Sequence, residues 1–256
     1  MKTHYLLAFA VLGTAPVLSA NALVQYNMLT FNSGTLNVDR GFTASTVGDG
    51  VTASDFRMNN NITGYPVNAV NSYSGGAIRV STWATSIAQP IVGTTAAPAT
   101  LNATNLQTTL NNLDYLTFTV TPLTGNFITL SSLTFLAGAP NNNNVRAFHV
   151  FSSVTGFEVE DRLFWNGNAP AGGNLRIRNS GEINTQTVVL TDPAFANITE
   201  GVEFRIYFHT GATNQELDFG NVNLNGTVSV IPEPSSFAML AAFGALGFAA
   251  TRRRRC

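Results

Sequence analysis

Between residues 202 and 209 the chain alternates without a break: Val202, Phe204, Ile206 and Phe208 are apolar, and Glu203, Arg205, Tyr207 and His209 stand between them. Successive side chains of an extended strand point to opposite faces, so this pattern predicts a β-strand with one buried face. Leu116, Phe118 and Val120 alternate with Thr117, Thr119 and Thr121 in the same way. Turn-forming residues from Pro122 to Asn126 follow, then Phe127 to Leu136, an order that predicts a hairpin. Further strands are expected at Val24 to Met28, Ala77 to Trp83, Val145 to Phe151, Leu175 to Arg178, Thr187 to Leu190 and Val222 to Val230. Few windows repeat at the helical period, with Leu106 to Leu113 as one short helical turn. About nine strands parted by Asn-rich and Gly-rich loops predict an all-β domain, an antiparallel sandwich of jelly-roll type.

Of the 256 residues, both ends read as targeting segments, and the stretch of about two hundred between them suits one sandwich domain. The expected division is 1–22 signal peptide, 23–230 body and 231–256 sorting tail. The body carries eight arginines and no lysine against thirteen acids, a net charge of about −5. That balance argues against nucleic acid and anionic membrane surfaces, both of which select clustered positive charge. The sole cysteine is Cys256, so no intramolecular disulfide braces the domain, and thiolate-based zinc, haem and iron–sulfur sites are excluded.

At the start, Lys2 supplies positive charge, Tyr5 to Leu18 an apolar stretch, and Ala20-Asn21-Ala22 a small-x-small cleavage signal. A signal-peptide helix handled by the Sec export machinery and cut after Ala22 is expected. At the other end, Pro232-Glu233-Pro234 precedes an apolar stretch from Phe237 to Ala250, then Thr251, Arg252, Arg253, Arg254 and Arg255. The prolines lack N–H donors and resist both helix and sheet, leaving an extended, accessible point after the last strand. Fourteen helical residues rise about 21 Å against a hydrocarbon core of roughly 30 Å, so the expected C-terminal hydrophobic helix spans only marginally. The four arginines belong on the cytoplasmic side, holding the body outside.

This tail resembles the PEP-CTERM sorting signal. The resemblance implies recognition of Pro232, Glu233, Pro234 and the arginine cluster by an exosortase, an integral-membrane protease. It further implies removal of the tail, a transient stay in the inner membrane, and delivery to the cell envelope or extracellular matrix. The competing reading is a tail anchor that is never cut. The body resembles, more loosely, the β-sandwich modules that often precede such tails. Phe148 to Phe157 is like an S-S-x-D-G-F hairpin with Thr155 in the Asp place, and Phe219 to Gly226 is like a closing D-N-V-x-L-x-G strand with Gly220 in the acid place.

No pattern in the body points to an enzyme or a cofactor. Glu158 and Glu160 would share one face of a strand, as a glycosidase pair requires, yet catalytic carboxylates usually come from different elements flanking a cleft. Asp39, Asp49, Asp55, Glu216 and Asp218 offer oxygens for a structural calcium, without the spacing of a calcium loop. His149 and His209 read as ordinary strand residues. Trp83 and Trp165, with Tyr73, offer flat faces to sugar rings, the basis of an alternative reading as a carbohydrate-binding module for exopolysaccharide. The leading expectation is a non-catalytic envelope or matrix protein.

Overall fold

The computed structural model describes residues 21–28, 33–36, 41–59, 65–70, 77–83, 91–92, 100–101, 107, 110–111, 115–138, 146–163, 176–177, 183–210 and 215–231. In chain order the strands are β1 (Asn21–Tyr26), β2 (Ser33–Leu36), β3 (Thr46–Val47), β4 (Val51–Ala53), β5 (Arg57–Asn59), β6 (Tyr65–Val70), β7 (Ala77–Trp83) and β8 (Ile91–Val92). There follow β9 (Thr100–Leu101), β10 (Tyr115–Pro122), β11 (Asn126–Gly138), β12 (Arg146–Ser152), β13 (Arg176–Ile177), β14 (Ile183–Val189), β15 (Val202–Thr210) and β16 (Gln215–Val230). All nine strands expected from the sequence are present, some with shifted ends. The signal-peptide helix, the tail helix, Trp165, Tyr73 and Asp39 lie outside the described residues. Among the described residues no helix is long and apolar enough to cross a membrane.

Two antiparallel sheets make the sandwich, and β8 pairs with β9 in a separate two-stranded ribbon. One sheet runs β14-β11-β16-β7-β6-β2, with β1 added along β16 and β3 along β1; the other runs β13-β12-β15-β10-β4, with β5 also on β10. Their facing sides bury Phe118, Phe204 and Phe148 from the second sheet against Tyr26, Phe135 and Phe219 from the first. Phe118 and Phe204 stack at 5.4 Å, and Phe135 meets Phe148 edge-on at 4.8 Å across the sandwich. Buried aromatics remove large apolar areas and gain further from such geometry, which supplies cohesion in a domain without disulfides.

The predicted hairpin between β10 and β11 does not form. The alternation at each strand was legible, but β10 pairs with β15, β4 and β5 while β11 pairs with β14 and β16. The connecting turn therefore carries the chain from one sheet to the other. Alternation fixes which face is buried and leaves the partner open, so two strands joined by a tight turn read alike in either arrangement.

Bulges explain why β11 and β16 look irregular in sequence. In β11 the buried set passes from Ile128 and Leu130 to Leu133, Phe135 and Ala137, changing parity at Ser131, where the register against β16 shifts. In β16 it passes from Phe219 to Val222 and Leu224 across a second shift, at Asn221. One extra residue turns each strand by a face, so both halves keep their apolar side chains inward. Asn221 sits at φ 37, a left-handed conformation that asparagine tolerates better than most residues. The same residue marks a change of neighbour: Gln215 to Gly220 pair with β7, and Val222 to Gly226 pair with β1.

Candidate functional site

The last strand runs to the edge of the sorting tail. Val230 pairs with Asn126, and the Ile231 N–H donates to the Gly125 carbonyl at 2.7 Å. Pro232, the next residue in the sequence, has no N–H to offer a ladder. Beside it, Leu123 to Asn126 form a tight turn in which the Asn126 N–H donates to the Leu123 carbonyl at 2.9 Å. Gly125 occupies its third position at φ 85, open to solvent, as a turn needing a left-handed residue demands. The Gly50 carbonyl ties the neighbouring loop to this turn, accepting from the Leu123 N–H at 2.8 Å and from Asn126 Nδ2 at 3.2 Å. Leu123, Val230 and Ile231 are left 46%, 72% and 41% exposed.

Of the residues expected to matter, Ala22 falls in β1, opposite Asn225, and Leu23 after it is buried. Ala20, Pro232, Glu233, Pro234 and Arg252 to Arg255 lie outside the described residues. Trp83 closes β7 in register with Gln215, on a stretch whose side chains are not described. Glu158 and Glu160 do not share a strand face. They belong to a 3-10 turn at Val159–Asp161, both exposed, with Asp161 Oδ2 accepting the Glu158 N–H at 2.9 Å. Gly156, at φ 114, makes this possible: a Cβ there would collide with Asp161 Oδ2. The turn, rather than an extended strand, is set by that glycine and by the Asp161 cap. Among the described residues no three His, Cys, Asp or Glu side chains gather as a metal would need. Of the expected calcium set, Asp49 is exposed in a loop and Asp218 is buried in β16, while the Asp39 and Glu216 side chains are not described. His149 is buried in β12, in register with Tyr207.

The outer face of the β12-β15-β10 sheet holds a cluster that alternation did not reveal. Tyr207, expected on a solvated face, is 1% exposed and packs on Tyr115 at 5.1 Å and on Phe151 at 5.6 Å, with Leu110 over them. Beside it the Arg205 guanidinium lies 3.6 Å from the Phe157 ring centre and 4.6 Å from that of Tyr115. Glu203 grips it from the side, Nε to Oε1 at 2.9 Å and Nη2 to Oε2 at 3.0 Å, and Thr117 Oγ1 donates to the same Oε1 at 3.0 Å. Burial alone would lower the Arg205 value; the Glu203 hydrogen bond and neighbouring charges outweigh it and the net direction is upward. A forked ion pair under an aromatic lid locks the Ser153–Asp161 loop onto the sheet. Its donors and acceptors are directed at one another, which makes it a fastening. The signal available in sequence was the Tyr115, Phe157 and Tyr207 set, separated by tens of residues and joined only by the fold.

The two-proline boundary, the apolar stretch and the arginine run thus follow directly on a completed strand. Residues 230–255 match the PEP-CTERM protein-sorting motif. The motif overlaps the folded body by Val230 and Ile231, so no linker separates sheet from signal. No curated protein matches the chain. Among solved structures it is similar to a cleaved adhesin domain of the Lys-gingipain of Porphyromonas gingivalis, at 16% identity and a TM-score of 0.33, covering 81% of this chain and 100% of that one. It is also similar to a family 11 carbohydrate-binding module of a Clostridium thermocellum cellulase, at 10% identity and a TM-score of 0.30, covering 82% and 95%. A third is CBM35 of Paenibacillus barcinonensis, at 11% identity and 0.19, covering 71% and 94%. At these scores none of the three bears on what the chain binds. The PEP-CTERM signal implies an exported protein.

Proposed function

We propose that the chain is a non-catalytic protein of the cell envelope or extracellular matrix. Residues 1–22 direct it outward, residues 231–256 hold it in the inner membrane, and an exosortase cuts near Pro232 to Pro234 to deliver a jelly-roll body, residues 23–230. The observation that carries this reading is the match of residues 230–255 to the sorting motif, placed directly after a strand that completes the larger sheet. Cutting beyond Ile231 removes no paired residue of β16. Cutting after Ala22 removes two register pairs of β1, Asn21 with Gly226 and Ala22 with Asn225, and keeps buried Leu23 and Val24.

Intact-mass measurement on the protein recovered from native-host membrane and extracellular fractions tests the proposal. The expected product begins at Leu23 and ends between Pro232 and Pro234. A product in the membrane that still ends at Cys256 would make this an uncut tail-anchored protein and remove the exosortase step.

A further inference from the structure

We infer that, while the tail is uncut, the end of the body formed by Leu123, Val230 and Ile231 rests on the lipid bilayer surface. Four large aliphatic side chains stand exposed among the described residues, and three of them are these. They are joined through the Leu123–Asn126 turn and the Ile231-to-Gly125 hydrogen bond. Phe127, partly exposed beside Ser229, adjoins them. Scattered single aliphatics on a surface need no explanation, but three gathered at one end, around the exit of an apolar tail, do.

The inference rests on the reading that the tail enters the membrane, and chain length supplies the occupant. Five residues, Pro232 to Ser236, separate Ile231 from the apolar stretch that begins at Phe237. The six Cα-to-Cα steps from Ile231 to Phe237, fully extended, span at most about 22 Å. The headgroup layer on each side of the hydrocarbon is roughly 5 to 8 Å deep. The end of the sheet is therefore kept within about one strand length of the hydrocarbon edge, at high effective concentration. The turn and the last strand residues carry hydroxyl and amide groups and no charge, from Thr121 to Asn126 and from Thr227 to Ile231. Asp49 and Glu200 are acids on loops at this end, both exposed. An uncharged aliphatic rim flanked by acids suits a zwitterionic interface and gains nothing from anionic lipid.

The fourth exposed aliphatic supplies a control. Val47 is 42% exposed, much like Leu123 and Ile231, but is in register with Val24, which pairs with Leu224. Val47 thus lies six strand residues, about 20 Å, behind Val230 and three residues, about 10 Å, behind Gly50, whose carbonyl is bonded to the turn, which sets Val47 back from the contact.

The test uses the tail-bearing exported chain with Cys256→Ser and one of Leu123→Cys, Val230→Cys or Val47→Cys, each labelled with a polarity-sensitive dye. The chain is reconstituted in phosphatidylcholine vesicles with acyl chains brominated near the headgroup. Flotation with the vesicles reports the tail, and quenching reports the rim. The expected result is flotation of all three, with at least a twofold loss of emission at positions 123 and 230 and little at 47. Flotation with positions 123 and 230 as bright as 47 overturns the inference and leaves the tail reading standing. Equal quenching at all three positions overturns it too, because the body then lies on lipid without regard to its end. Failure to float overturns both readings.

Discussion

Two buried phenols set how this domain answers to alkali. Burial holds Tyr26 and Tyr207 above the ordinary tyrosine value of about 10, with the charge of Asp55 adding to the effect at Tyr26. A folded-state value above the unfolded one means that the stabilising contribution is complete below pH 10 and is lost as pH rises toward the folded value. The urea midpoint is expected to fall between pH 9 and 11.5, and Tyr26→Phe to fall less steeply. At neutral pH the same variant loses the hydrogen bond from the Tyr26 hydroxyl to the Ser54 carbonyl, costing about 1 kcal/mol. Parallel alkaline slopes in the two proteins would show that Tyr26 is not the source. At Arg205 the planar guanidinium is gripped by Glu203 and stacked on Phe157 and Tyr115, so Arg205→Lys keeps the charge and loses the fork. Because the pair is partly solvated, the expected loss is modest, about 1 kcal/mol by urea denaturation. Neither residue's partners were legible in the sequence. Alternation placed Tyr207 and Arg205 on the face opposite the core, and that much is correct. Their cover comes from Leu110 and Phe157, whose approach no local pattern encodes.

At the scale of the strand, what was readable was the face of each element; what was hidden was its partner and its faults. Val202 to Ile206 and Leu116 to Val120 follow a clean two-residue period, and the structure buries them as that period requires. β11 and β16 carry the same information with one residue added, so the period restarts on the other parity and the strand looks weaker than it is. Short β3, β4 and β5 went unread because two or three residues cannot display a period. Asn221 puts the idea of the bulge to a direct test. Its left-handed φ is easy for glycine and hard for a β-branched residue. Asn221→Gly is expected to leave stability within about 0.5 kcal/mol, whereas Asn221→Val costs about 2 kcal/mol, as measured by the urea midpoint. Equal loss in both variants would mean that the Asn221 side chain, and not its backbone, is what matters.

The whole molecule is organised around its last strand. β16 lies between β11 on one edge and β7 and β1 on the other, so residues near position 22 close on residues near position 226. A chain ended at Asn214, just before β16, is expected to lack near-ultraviolet circular dichroism and a cooperative melt. A chain ended at Pro234 should melt within about 2 °C of the exported full-length protein, because Val230 and Ile231 keep their partners. The sorting motif was legible because its parts are contiguous and each obeys a local rule, whereas a binding surface, if assembled from distant strands, leaves no such trace. The position of β16 also has a consequence in time. An exported chain emerges N-terminus first, so β1, β7 and β11 arrive outside the cell with their shared neighbour still to come, and pairings this distant in sequence form slowly. The strand that unites the sheet emerges immediately ahead of the sorting motif. On the proposed function, closure of the sheet then takes place at the end of a leash, and a halt at the tail would give β16 time to join its neighbours before a cut sets the body adrift.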